Sequence, residues 1–108
     1  MAMFVITGVY AGRRRLRASG GRLYLHVPSE IVGGLGGRRV RVTAIVNAEE
    51  CTSKRLNGSI IHFVATLVRV GATYRINVPS SYASALAEIV GCSTLDIWLA
   101  PLTRREEG

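Results

Sequence analysis

The chain of 108 residues is poor in the residue types that bind metals or perform chemistry. It contains two cysteines and two histidines, and neither Cys51 nor Cys92 lies at metal-ligand spacing from His26 or His62. We therefore expect no metal site and no cofactor. For the cysteines we expect two ordinary thiols, although the sequence leaves open a disulfide of the kind that intracellular hyperthermophile proteins contain.

Three further absences narrow the class of protein. No apolar run approaches the roughly 18 residues of a membrane-spanning helix. Residues 1–10 show neither the charged start nor the cleavage site of a signal peptide, so we expect a cytoplasmic protein. The sequence also lacks a recognisable spacing of acid, base and nucleophile with an orienting partner, so we expect no catalytic residues and no enzyme activity.

Acidic residues are scarce in the first half of the chain. Residues 1–46 hold eight arginines and one acid, Glu30, whereas the remaining residues hold six basic and six acidic side chains. The whole net charge of +7 therefore belongs to the first half. Such a field attracts polyanions, and nucleic acid is the commonest polyanion in a cytoplasm. A solvated surface that reflects biased codon usage is the other interpretation of the same residues.

The sequence does contain one internal repeat. Residues 24–35 read YLHVPSEIVGGL, and residues 75–86 read RINVPSSYASAL, at an offset of 51. The same offset relates Gly20 to Gly71 and Leu16 to Leu67. In each copy the pattern predicts a strand, a glycine turn, a strand that ends at the proline, a short helix and a final strand.

Alternation along the predicted strands separates a polar face from a core face. In an extended strand Arg13, Arg15 and Arg17 share one side, and Arg14 and Leu16 point to the other. In the strand at residues 38–46, the same argument directs Val40, Val42 and either Ala44 or Ile45 inward. It directs Arg39 and Arg41 outward.

Three aromatic residues and two serines receive more specific predictions. Tyr24 and Tyr74 are predicted to point outward beside arginines, where they either cover the rim of the core or stack on bases. Trp98 is expected in the core or an interface. Ser29 and Ser80, which follow the two prolines, are predicted to cap the helices.

The repeat resembles the AbrB-like swapped-hairpin family of DNA-binding regulators and antitoxins. The resemblance is carried by GGRLYLHVPSEIVGGL and GATYRINVPSSYASAL, in which the glycine turn, the Val-Pro pair and a leucine seven positions after the proline keep their spacing. It implies a mainly β fold, a swapped-hairpin β-barrel formed as a single-chain pseudo-dimer with one short helix per copy. The first half would be residues 1–46, the linker 47–58, the second half 59–102 and the tail 103–108, and both halves would form one barrel.

The resemblance also implies a function. In that family, basic residues on the first strand and the glycine turn contact DNA, so the chain would be a DNA-binding transcriptional regulator whose partner is double-stranded DNA. Position by position, this implicates Arg13, Arg15, Arg17 and Arg22, and the outward direction of Arg39 and Arg41 makes those two secondary contacts.

The sequence is also compatible with partners other than DNA. The second copy carries Thr66, Val68 and Thr73 where the first has Arg15, Arg17 and Arg22, so it is expected to act mainly as a folding partner. The alternative function is a protein-interaction module, such as an antitoxin-like or adaptor barrel. A homo-oligomer is compatible with either function.

Overall fold

The computed structural model describes residues 8–102. As predicted, this part of the chain is mainly β, and it forms two four-stranded antiparallel sheets with two short helices. The strands are β1 (Val9–Arg15), β2 (Arg17–Ser19), β3 (Arg22–Pro28), β4 (Arg39–Asn47), β5 (Ile60–Thr66), β6 (Val68–Val70), β7 (Thr73–Asn77) and β8 (Thr94–Pro101). The helices are α1 (Ser29–Val32) and α2 (Ser80–Leu86), and each continues into one 3-10 turn.

Both sheets combine strands from the two copies, and in the first sheet the copies alternate. The first sheet has the order β1-β8-β4-β5, so β1 of the first copy pairs with β8 of the second, and β5 of the second pairs with β4 of the first. The second sheet has the order β2-β3-β7-β6. Its central pair, Leu25 and Ile76, joins residues that are related by the repeat offset. A pseudo-two-fold axis therefore passes between β3 and β7.

The chain crosses from one sheet to the other at two equivalent leucines. Leu16 lies between β1 of the first sheet and β2 of the second, and Leu67 lies in the same way between β5 and β6. Both side chains are essentially inaccessible to solvent, at 1% and 0% exposed. Burial of a leucine contributes about 1.5–3 kcal/mol, which fixes each crossing point to the core.

The core lies between the two sheets and follows the predicted alternation. Val40, Val42 and Ala44 of β4 are buried, whereas Arg39 is exposed and Arg41 is half-buried. A continuous cluster of buried apolar side chains takes members from both copies. Neither copy therefore has a core of its own.

The closed barrel implied by the resemblance is not found. In residues 8–102 the strands form two separate ladders, and no strand pair joins one sheet to the other. The physical reason lies at the crossings, because the chain leaves one ladder at Leu16 and Leu67 before it enters the next. The two sheets are held together by side-chain packing rather than by backbone hydrogen bonds.

The predicted helix caps are wrong. Pro28 and Pro79 themselves occupy the N-cap positions, with extended ψ values of 140° and 147°, and no side chain of residues 8–102 caps either helix. Ser29 lies inside α1, and its amide donates to the carbonyl of Ala72 at 3.1 Å. The fixed φ of proline ends the strand and begins the helix at one residue, which leaves no position for a serine cap.

Only one of the two tyrosines faces outward. Tyr24 lies on the outer face of the second sheet, as predicted, but Tyr74 pairs with the buried Val27 and packs against the core. A Cβ atom on Gly36 would collide with the Tyr74 hydroxyl, so that glycine makes room for the ring. Tyr74 occupies the position of Leu23 in the other copy, and this equivalence accounts for its inward direction.

The two cysteines form a disulfide, contrary to the expectation of two thiols. Cys51 lies in the segment between the two copies and Cys92 just before β8, and their Cα atoms are 5.2 Å apart. The neighbouring Ser93 is buried and donates its hydroxyl to the Ile89 carbonyl at 2.6 Å. Sequence could not decide this pairing, because 41 positions separate the two residues.

Candidate nucleic-acid interface

Four arginines line one groove at the place where the chain passes from β1 to β2. Because Leu16 points into the core, the residues on either side of it are left at the surface. The groove has a volume of about 210 Å³, and we call it the basic groove. Its lining residues are Arg13, Arg14, Arg15, Arg17, His26, Pro28 and Thr73.

Arg13 is the one arginine of the groove that forms an ion pair with a carboxylate of the described residues. Its Nη2 lies 3.1 Å from Oδ2 of Asp96, and the Tyr10 hydroxyl donates to Oδ1 of the same carboxylate at 2.6 Å. The hydrogen bond from Arg13 lowers the pKa of Asp96, and the bond to that carboxylate raises the pKa of Tyr10. Part of the Arg13 charge is thus neutralised within the protein.

Because the pKa of Asp96 is lowered, the contribution of this ion pair to the stability of the fold depends on pH. The ordinary pKa of the Asp96 carboxyl is 3.8, and the folded value lies below it. The ionised pair therefore stabilises the fold fully above the ordinary pKa, and this contribution is lost as the pH falls through the lowered pKa. At neutral pH Asp96 is ionised and holds Arg13.

Arg14 was predicted to point away from the other three arginines, but its side chain turns back to line the same groove. The half-buried guanidinium donates from Nε to the Ala11 carbonyl at 3.0 Å. A β-bulge between Tyr10 and Gly12 displaces this part of β1. A Cβ atom on Gly12 would lie 2.8 Å from Nη2 of Arg14, so the glycine leaves room for the arginine. The bulge could not be read from alternation, which assumes a regular strand.

The second wall of the groove comes from the outer face of the second sheet. His26 and Thr73 lie there, with the threonine Oγ1 3.2 Å from the histidine Nδ1. Tyr24 continues this face, and its ring lies 5.3 Å from the His26 ring and 4.0 Å from the Arg75 guanidinium. Base stacking was one of the two roles predicted for Tyr24, but no sequence pattern indicated His26 and Thr73 at the site, because β3 and β7 meet only in the folded chain.

The other predicted contact residues lie away from the basic groove. Arg22 is exposed at the β2–β3 turn and lines a different groove. Arg39 is exposed and lines a third cavity with Arg38 and Pro101. Arg41 is half-buried on β4. The structure thus brings together Arg13, Arg15 and Arg17 and separates them from Arg22, Arg39 and Arg41.

A second groove, of about 510 Å³, is the pseudo-symmetry mate of the basic groove. All seven residues that line the basic groove have their repeat equivalents in the lining of the second groove. These equivalents are Val64, Ala65, Thr66, Val68, Asn77, Pro79 and Arg22. Four arginines in one groove thus correspond to two valines, an alanine and a threonine in the other. The fold therefore contains two equivalent grooves, and only the first of them is lined by four arginines.

Comparison with known proteins does not place this chain in a family. No family model, no curated protein and no solved structure matches this chain. Within residues 8–102, no three His, Cys, Asp or Glu side chains converge where they could hold a metal ion. The helices of that same range are all too short to cross a membrane.

Proposed function

We propose that this protein binds nucleic acid through the basic groove, as a DNA-binding transcriptional regulator of the AbrB-like swapped-hairpin type. The protein acts in the cytoplasm by binding and catalyses no reaction. Arg15 and Arg17 are the main phosphate contacts, with Arg13 and Arg14 beside them. Arg22, Arg39 and Arg41 are peripheral contacts that meet a longer duplex.

The observation that carries the proposal is the convergence of four guanidinium groups on one groove. The guanidinium group presents several donors in a planar fork that matches phosphate oxygens and guanine edges. In the described residues, only Asp96 forms an ion pair with any of the four. The exchange of strands between the two copies also agrees with the swapped-hairpin interpretation.

The direct test is a binding titration against duplex DNA, single-stranded DNA and structured RNA at several salt concentrations. We expect duplex DNA to bind most tightly, with log affinity falling linearly as log salt rises. A heparin column eluted with a salt gradient gives an independent measure of the same electrostatic term. Failure of all three nucleic acids to bind at about 50 mM salt would overturn the proposal.

Asp96 should limit the affinity, because its carboxylate competes with phosphate for Arg13. Asp96→Asn keeps the shape of the side chain and removes its charge, so we expect affinity for duplex DNA to rise about three- to tenfold. The slope of log affinity against log salt should steepen by up to about 0.9, the value for one phosphate contact. Glu88→Gln is the matched control, since Glu88 pairs with Arg55 outside the groove. An Asp96→Asn protein with unchanged affinity would show that Arg13 takes no part in binding.

The alternative is a protein-interaction module, and the second groove is the observation that favours it. This groove has the same position in the fold as the basic groove but lacks its arginines. A protein that bound partners through this groove alone would tolerate loss of the arginines of the basic groove. The titration above separates the two functions.

A further inference from the structure

The outer face of the second sheet carries two aromatic rings beside the basic groove. In β3 the side chains of Leu23, Leu25 and Val27 are buried in the core. The alternation of a strand therefore directs Tyr24 and His26 to the outer face. Their ring centroids are 5.3 Å apart, and both side chains are half-buried. The face thus has two neighbouring rings that are partly open to solvent.

A third planar group, the guanidinium of Arg75, lies over the Tyr24 ring. Its central carbon is 4.0 Å from the ring centroid, and its Nε donates to Oδ1 of Asn77 at 3.0 Å. Cation–π attraction and this hydrogen bond together hold the guanidinium in place. Guanidinium planes stack on nucleobases, as aromatic rings do. Arg75 therefore adds a third stacking group to the two rings.

The His26 ring is also held in a fixed position. The Thr73 hydroxyl donates to the Val70 carbonyl at 3.0 Å, so its oxygen acts as the acceptor toward His26. Nδ1 of His26 lies 3.2 Å from that oxygen and is therefore the donor of the pair. Side chains that are ordered before a ligand binds lose little entropy on binding, which favours contacts made by this ring.

The charge of the second sheet suits a phosphate backbone that passes beside these rings. Its four strands contain no acidic residue and four arginines, which are Arg17, Arg22, Arg69 and Arg75. Arg17 is the cross-strand neighbour of Tyr24, and both Arg17 and His26 line the basic groove. A nucleic-acid strand that leaves the groove at Arg17 therefore reaches the rings next.

The apolar side chains of this face favour bases over phosphates as its ligand. Val68 and Val70 of β6 lie on the same side of the sheet as Arg75 and Thr73, and each valine is 46% exposed. Phosphate contacts are made by charged and polar groups, whereas apolar groups and rings contact bases. Val68 also lines the second groove, so the outer face connects the two grooves.

We propose, on the basis of the function proposed above, that Tyr24, His26 and Arg75 stack on unpaired bases next to the duplex that the basic groove binds. The preferred ligand is then duplex DNA that continues as a single strand. Bases inside a duplex stack on one another and cannot reach these side chains, whereas unpaired bases can. Every base has a π-face, so the contact tolerates different sequences.

Fluorescence anisotropy with three duplex probes tests this ligand. The first probe is blunt, the second carries a few unpaired thymidines at one end, and the third carries abasic sites in their place, which keep the phosphates and lack the bases. We expect the thymidine probe to bind about tenfold more tightly than the abasic probe, the gain from stacking of one base. The abasic probe should exceed the blunt probe only by the electrostatic gain of its extra phosphates.

Tyr24→Leu isolates the stacking contribution, because leucine keeps an apolar side chain and lacks an aromatic ring. We expect the affinity ratio between the thymidine and abasic probes to fall to about twofold or less. Tyr24→Phe is the matched control, and it should keep the wild-type ratio. Arg75→Lys provides a second test if Tyr24→Leu fails to fold, because it removes the guanidinium plane at unchanged net charge and should also lower the ratio. Circular dichroism shows whether each variant is folded.

Equal affinity of the wild-type protein for the thymidine and abasic probes, with the blunt duplex still bound, would overturn stacking and leave the proposed function in place. The same result is expected if another protein or a second copy of the chain covers this face. Failure of every probe to bind at about 50 mM salt would overturn both proposals. A folded Tyr24→Leu protein that keeps the wild-type ratio would overturn Tyr24 as a stacking ring.

Discussion

Replacement of Arg13, Arg15 and Arg17 by alanine should weaken binding to duplex DNA by at least about 100-fold at low salt, since each charge-assisted contact is worth about 1.5–3 kcal/mol. The slope of log affinity against log salt should fall by about 1.8 to 2.7, at about 0.9 for each phosphate contact. The lower figure applies if the pair with Asp96 keeps Arg13 from phosphate. Titrations at four or more salt concentrations measure both quantities.

A control variant with the same loss of charge distinguishes binding at the basic groove from general electrostatic attraction to the protein. Lys54, Arg55 and Arg69 lie outside the basic groove, and their replacement by alanine also lowers the net charge from +7 to +4. We expect this control to lose only a few-fold in affinity. Equal losses in the two triple variants would mean that the groove has no special role. An unchanged salt slope in the first variant, with normal circular dichroism, would leave the arginines as a solvated edge.

Reduction of the Cys51–Cys92 disulfide should destabilise the fold by about 4 kcal/mol. The two cysteines are 41 positions apart in sequence. A cross-link that closes a loop of this length lowers the conformational entropy of the unfolded chain, and at 25 °C this is worth about 4 kcal/mol of stability. For a domain of this size we expect the melting temperature to fall on the order of 15 °C or more. Thermal unfolding with and without a strong reductant measures the difference.

Cys92→Ala is the matched control for the reduced protein. Cys92 is half-buried, so its truncation disturbs packing less than truncation of the buried Cys51 would. The Cys92→Ala protein should melt near the reduced wild type and should not respond to reductant. A shift of less than about 3 °C on reduction would show that the linker is already held by its other contacts, such as the Asn57 Oδ1 bond to the Ala48 amide.

Local patterns predicted the parts of the structure that depend on neighbours in sequence. The alternation of Val40, Val42 and Ala44 and the positions of the strands follow from the period of two, which is set by the backbone alone. The offset of 51 correctly related Leu16 to Leu67, and both are buried crossing points. These features need no knowledge of which strand lies beside which.

The candidate site was predictable only in part, because it depends on contacts between distant segments. Arg13, Arg15 and Arg17 were assigned together, and they line one groove. The carboxylate that pairs with Arg13 is 83 positions away, and no local pattern connects the two. The separation of Arg22 from the groove also escaped sequence reasoning. It follows from the crossing at Leu16, after which the hairpin of β2 and β3 carries its turn away.

Two copies on one polypeptide give evolution a freedom that a symmetric pair of identical chains lacks. When two identical subunits form a pair of equivalent grooves, each mutation changes both grooves at once. Here Arg17 and Val68 occupy equivalent positions but are separate codons, so one groove can acquire guanidinium groups while its mate loses them. The covalent joining of the halves thus allows the two sites to specialise independently, while the strands that they exchange keep the shared core under common selection.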